Sequence, residues 1–186
     1  MPKLRLERDE FASRLPIVRR VLACLSPDKR GPACEIVNMP DECIAIGVYT
    51  GLRPSSVIRE WRFPTKIKGV RANYYEIWRP LMVRGQPSFF LHQAYLTLFQ
   101  KESPNNEKEL LALHCDPDEP DSRTALYKRG PHVHIKAAAQ PIPKAHFALA
   151  KGQLDQVLSN VSSLTNFLAM GVQMIDDEVL TRFREG

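Results

Sequence analysis

Apolar residues recur at spacings of four and three near the start of the chain, at Phe11, Leu15, Val18, Leu22 and Leu25. This is the stripe of one helix face over about residues 10–25. Pro16 suits only a first turn, so the regular part of the helix is expected from Leu15 onward. Arg14, Arg19 and Arg20 fall away from the stripe and are expected to face solvent. SPDKRGP at 26–32 then stops the helix and turns the chain.

Beyond it the period shortens to two. ACEIVNM and CIAIGVYTG are short β-favouring runs split by PDE, which predicts a hairpin. SVIREWRF alternates, with Val57, Arg59, Trp61 and Phe63 on one side. KIKGVRANYYEIWRPLMVR continues the pattern, with Tyr74, Tyr75, Ile77 and Trp78 as typical strand residues. SFFLHQAYLTLFQ at 88–100, the polar turn KESPNNEK and ELLALHC at 109–115 form the clearest hairpin. RTALYKRG, HVHIKAA and HFALA read as further short strands, while DPDEPDS at 116–122 cannot continue one.

After Gly152 the period returns to that of a helix. Leu154, Val157 and Leu158 begin one helix. Val161, Leu164, Leu168, Val172 and Ile175 mark another, with Asn160 or Ser162 as its cap and Gly171 as a weak point. Asp176, Asp177 and Glu178 are expected to open a separate last turn. Turns too short for crossover helices favour antiparallel pairing. The expected fold is therefore α+β, a single domain over 1–186. An N-terminal helix and C-terminal helices (153–183) flank a largely antiparallel sheet of seven to nine short strands (33–150).

Composition is that of a globular domain, 44% hydrophobic and 25% charged. No apolar run approaches the roughly 18 residues of a membrane span, and the mixed-charge N-terminus lacks the apolar region of a signal peptide. The expected compartment is the cytoplasm, with no membrane partner. Cys24, Cys34, Cys43 and Cys115 form no CxxC pair, so they read as small hydrophobes rather than as a disulfide or metal framework.

Charge is uneven under a net +5. Residues 53–84 carry eight basic and two acidic side chains, residues 101–121 two and seven, and residues 123–151 six and none. Such segments permit a polyanionic partner. In the first segment, Arg59, Arg62, Lys66, Lys68 and Arg71 alternate with aromatics that could stack on bases. The competing reading makes Trp61, Phe63, Tyr75 and Trp78 sheet core, with the arginines on the other face.

The third segment holds most of the histidines. His132 and His134 share one side of a strand, His146 follows after a turn, and His114 stands beside Asp116 one strand earlier. Two chemistries fit. His132, His134, His146, His114 and Asp116 offer enough ligands for a metal. Alternatively, no cofactor is needed: His132 and His134 act as base and acid on a phosphodiester while Arg129 and Lys136 stabilise the developing charge. Lys128 and Lys144 would add backbone contacts. The cationic neighbours favour the metal-free version, with a substrate 2′-hydroxyl as nucleophile, which places RNA ahead of DNA. Asp118, Glu119 and Asp121 lack EF-hand spacing and read as a solvated loop.

The order FFLHQAYLTLF, ALHCD, PHVH and a closing helix resembles, over residues 88–160, the small bacterial toxins paired with minimal nucleotidyltransferase antitoxins. Pro131 to His134 carry the match, with His92 as a looser partner. The paired histidines found upstream in that family are absent, and residues 1–85 have no counterpart. The resemblance implies an RNA-directed toxin or defence protein with an antitoxin as protein partner.

The sequence thus points to a nucleic-acid-interacting protein that cleaves RNA without a metal. Three alternatives stay open: a non-catalytic binding or regulatory module, a structural subunit of an assembly, and a histidine-ligated metalloprotein.

Overall fold

The computed structural model describes residues 4–48, 61–103, 106–117, 132–135, 145–148 and 160–181, with the backbone alone at 135 and 145–148. Nine strands form one sheet: β1 (Arg5–Glu7), β2 (Cys34–Asn38), β3 (Ile44–Val48), β4 (Arg62–Pro64), β5 (Val70–Val83), β6 (Gln86–Ser103), β7 (Asn106–Cys115), β8 (His132–Ile135) and β9 (Ala145–Ala148). Their order is β2-β3-β5-β6-β7-β8-β9, with β1 pairing β6 and β4 pairing β5. Every pairing is antiparallel. The α+β reading holds, although β5 and β6, at 14 and 18 residues, are longer than the short strands expected.

The two faces of the sheet differ. Ile44, Ile46, Tyr74, Trp78, Leu96, Leu98, Leu113 and Val133 alternate onto one face and join the main core. Helices α1 (Glu10–Leu22) and α2 (Val161–Met174) supply Phe11, Val18, Leu22, Leu164, Leu168 and Val172 to the same core. Among the described residues the opposite face carries a smaller apolar cluster of Ala45, Trp61 and Tyr75. Trp61, Phe63, Tyr75 and Trp78 are all buried, so these aromatics belong to the sheet interior.

Helix α1 starts at Glu10 and runs through Pro16, so it does not wait for Leu15. Proline costs one backbone hydrogen bond there, and packing of the helix face outweighs the loss. Arg14 is the larger correction. It is 2% exposed rather than solvated, because its spacing from Phe11 and Val18 puts it on the buried face. There Arg14 Nε donates to Glu76 Oε2 at 2.6 Å, and a second guanidinium nitrogen donates to Glu76 Oε1. The Glu76 carboxylate also accepts from the Tyr74 hydroxyl and, at 3.0 Å, from Trp78 Nε1. Arg14 reaches Thr165 Oγ1 of α2 at 3.0 Å. Burial opposes the guanidinium charge, but attraction and hydrogen bonding from Glu76 prevail and raise its pKa.

Helix α2 is capped as expected: the Asn160 side chain accepts from the Ser163 backbone N–H at 2.9 Å. It is unbroken at Gly171, where an added Cβ would lie 2.3 Å from Leu113 Cδ2. The glycine is a close-approach point between helix and sheet rather than a break. Residues Ile175–Leu180 continue as a π-helical turn instead of starting a separate one. Asp176 in that turn pairs with Lys66. Among the described residues no helix is long and apolar enough to cross a membrane. The expected strand at RTALYKRG and the helix at 154–158 lie outside the described residues.

Replacing Glu76 by Gln leaves a buried guanidinium without its counter-charge. We expect a loss of about 3–5 kcal/mol in urea unfolding, whereas joint replacement of Arg14 and Glu76 by Met and Leu recovers much of it. An unchanged midpoint for Glu76→Gln would show that the pair does not hold α1 to the sheet.

Burial pushes the Cys34 thiol up to about 12 and raises Cys43 as well, while Cys115 rises well above its ordinary value through burial and then the nearby Asp116. Cys24 is exposed. Native protein at pH 8 should therefore take up iodoacetamide at Cys24 first, which peptide mass mapping would read; early labelling of Cys34 would contradict the packing described.

Candidate metal centre

Register builds the site. Tyr95 on β6 lies opposite His114 on β7, and His114 lies opposite His132 on β8. Tyr75 on β5 and Gly47 on β3 complete the row in the other direction. His134 follows His132 by two residues and so returns to the same face. All these residues stand on the face opposite α1 and α2. An antiparallel sheet thus brings together histidines that are up to twenty residues apart in sequence.

The imidazoles are in mutual contact. Ring centroids lie 4.2 Å apart for His114 and His134, 4.8 Å for His132 and His134, and 5.6 Å for His114 and His132. One ligand atom from each of the three lies within 4.8 Å of those of the others. Two nitrogens bound tetrahedrally at about 2.1 Å stand about 3.4 Å apart, so small rotations close the set around one ion. His132 is 0% exposed, while His114 and His134 are half-buried.

Asp116 is the fourth member. Its Oδ2 lies 3.9 Å from His132 Nε2. That is too long for a hydrogen bond and close to the separation of two ligands sharing an ion. Its Oδ1 accepts from the Tyr95 hydroxyl at 2.6 Å. The Tyr95 ring stacks on His114, with centroids 3.8 Å apart and planes 6° from parallel. Tyr95 therefore orients a carboxylate and an imidazole together, as outer partners of metal ligands do. Neighbouring Cys115 is buried in the main core on the other face and supplies no ligand here.

The sequence named His114, His132, His134 and Asp116, and the structure brings them together. His146 stands opposite His134 in the β8–β9 register; its side chain lies outside the described residues, as do Arg59, Lys128, Arg129, Lys136 and Lys144. Tyr95 escaped the sequence reading. Its signal was alternation along β6, which shows its face only once the register to β7 is known.

Three of the eight basic side chains of the first basic segment, Arg62, Lys66 and Arg71, are engaged within the molecule. Arg62 Nε lies 2.9 Å from Glu107 Oε2, and Arg71 pairs with the other oxygen of Glu107 at 3.2 Å. The Arg62 guanidinium also sits 3.9 Å over the Phe99 ring. Lys66 pairs with Asp176, and Lys68 is exposed. These ion pairs lower the charge the segment presents to a polyanion. No family model, no curated protein and no solved structure matches this chain, so its functional reading rests on the geometry of the histidine face.

Proposed function

We propose that His114, His132 and His134, with Asp116, hold a divalent transition-metal ion, and that the protein uses it to hydrolyse phosphodiester bonds in nucleic acid. One observation carries the reading: three imidazoles from two neighbouring strands converge to within 4.8 Å beside a carboxylate. Imidazole and carboxylate together suit zinc, manganese or iron. Such an ion supplies an activated water and polarises a phosphoryl oxygen.

Complete burial of His132 favours ligation over metal-free acid–base work. A general base must come within hydrogen-bonding reach of its substrate, and a side chain with no exposed surface is poorly placed to meet a phosphodiester. As a ligand it needs no such access. Tyr95 holds Asp116 and, by stacking, His114, so the donor set is arranged before a metal arrives.

Charge supports the substrate class. Six basic residues and no acidic one lie between Arg123 and Lys151. Lys128, Arg129, Lys136 and Lys144 flank β8 in sequence. Cations beside a bound metal are unfavourable unless an anion offsets them, and a phosphodiester is such an anion. A metal-activated water needs no 2′-hydroxyl, so RNA and DNA both qualify as substrate.

Elemental analysis of tag-free protein should find close to one equivalent of zinc, manganese or iron, lost in the His132→Ala/His134→Ala variant. Absence of metal from active protein would overturn the metal reading and return the site to metal-free acid–base chemistry. Tyr95→Phe should weaken metal affinity by about 10- to 100-fold in competition with a chelating dye, while the unfolding midpoint of the metal-free protein shifts little. Unchanged affinity would remove Tyr95 from the site.

A further inference from the structure

Register lines up Gly47, Tyr75, Tyr95 and His114 as one row across β3, β5, β6 and β7. The β5–β6 ladder is regular here. It shifts beyond Ile77, where Trp78 pairs with Leu91 and His92 is the extra residue of a β-bulge. Neighbouring strands lie about 4.8 Å apart, so side chains in one row touch. The spacing of the rings is nevertheless uneven. Tyr75 and Tyr95 have centroids 5.3 Å apart with planes at 39°, whereas those of Tyr95 and His114 lie 3.8 Å apart and almost parallel. Tyr95 therefore leans away from Tyr75 and onto the imidazole.

Tyr75 is itself walled in from behind. It is 4% exposed and packs with Trp61 and Ala45, and Tyr95 packs against the same cluster. Trp61 occupies the space over β3 where position 47 would carry a side chain. A Cβ at Gly47 would lie 2.6 Å from both Cε3 and Cζ3 of the Trp61 ring and 2.9 Å from the Tyr74 carbonyl oxygen. Glycine is needed there for close approach. Trp61 is tied down at its main chain as well. Its carbonyl oxygen accepts from Asn73 Nδ2 at 2.5 Å, and the next residue, Arg62, pairs with Asn73 across β4 and β5. Close packing leaves Tyr75 little room to retreat.

We infer that Tyr75, backed by Trp61 seated on Gly47, is a positioning residue of the histidine centre. It sets the lean of Tyr95, which passes that setting to the His114 ring by stacking and to Asp116 by its hydrogen bond. On the metal reading given above, the support of the centre thus extends to β3, three strand spacings or about 14 Å from His114. Outer contacts of this kind fix the orientation of the ligands and, through it, the affinity for the ion. Tyr75 acts on the ion through Tyr95.

The test compares full-length Tyr75→Leu, Tyr75→Phe and Gly47→Ala, with Leu98→Val as a control on the core face of β6. Cobalt(II) is the probe, because its visible absorption reports ligand geometry and competition with a chelating dye gives its affinity. Tyr75→Leu should weaken cobalt binding about tenfold and shift the visible bands. Tyr75→Phe, which keeps the ring, should stay close to wild type. Gly47→Ala displaces Trp61 and should shift the bands in the same direction by less. Leu98→Val should lower the unfolding midpoint and leave the bands in place. In metal-free protein, nuclear magnetic resonance of the Tyr95 ring should show faster flipping in Tyr75→Leu than in wild type or Leu98→Val.

Wild-type affinity and bands in Tyr75→Leu would overturn the positioning role. So would an equal band shift in Leu98→Val, which would make the change a consequence of lost stability. An equal loss in Tyr75→Phe would move the effect from the ring to the hydroxyl and overturn it too. Should Tyr75→Leu fail to fold, unchanged bands in Gly47→Ala decide against the row. Wild-type protein that takes up no cobalt would sink the metal reading alone. Faster Tyr95 flipping in Tyr75→Leu would then still uphold the row, and unchanged flipping would end it.

Discussion

The bidentate pair between Arg14 and Glu76 decides which face of the sheet the helices cover. Glu76 sits mid-strand on β5 with no exposed surface, and without a cation it would be a bare carboxylate inside the core. Helix α1 supplies that cation, and Arg14 reaches across to Thr165 so that α2 joins the same network. A buried pair contributes little net stability compared with well-packed apolar groups, since desolvation offsets most of the attraction. It does specify an arrangement. Any packing that places α1 elsewhere leaves two buried charges uncompensated, which costs several kcal/mol.

With both helices committed to one face, the histidines fall on the other. Strand alternation then sorts the residues: Leu96, Leu113 and Val133 go to the core, while Tyr95, His114, His132 and His134 go to the opposite side. The same strands that make the core therefore fix the positions of the histidines. Main-chain hydrogen bonding sets their spacing, and the Tyr95 stack and its bond to Asp116 set their orientation. Preorganisation of this kind is what a metal centre requires of its surroundings.

The fold class and most described element positions were legible in the sequence because they depend on local signals: hydrophobic period, turn residues and the Asn160 cap. Arg14 was not, because a periodicity argument classes every arginine as polar and assigns it to solvent. Its partner is 62 residues away, and no local pattern announces that Glu76 will be buried. Gly171 misled for a similar reason. In isolation it weakens a helix, and only the approach of Leu113 gives it a purpose. At the site, HVH and LHCD gave up the ligand types, but whether they meet depends on the β7–β8 register. Tyr95 and the bulge at His92 are properties of pairing, which a one-dimensional pattern does not contain.

Basic composition needs the same separation of local from global. Eight basic residues between positions 53 and 84 suggest a polyanion surface, yet Arg62, Arg71 and Lys66 face Glu107 and Asp176 within the molecule. Their role is to join β4, β5 and β7 to one another and to the turn after α2. Paired cations project a weak field, because the dipole of an ion pair falls off faster than a single charge and salt screens what is left. A count of basic residues therefore overstates the charge that this part of the sheet presents to a polyanion.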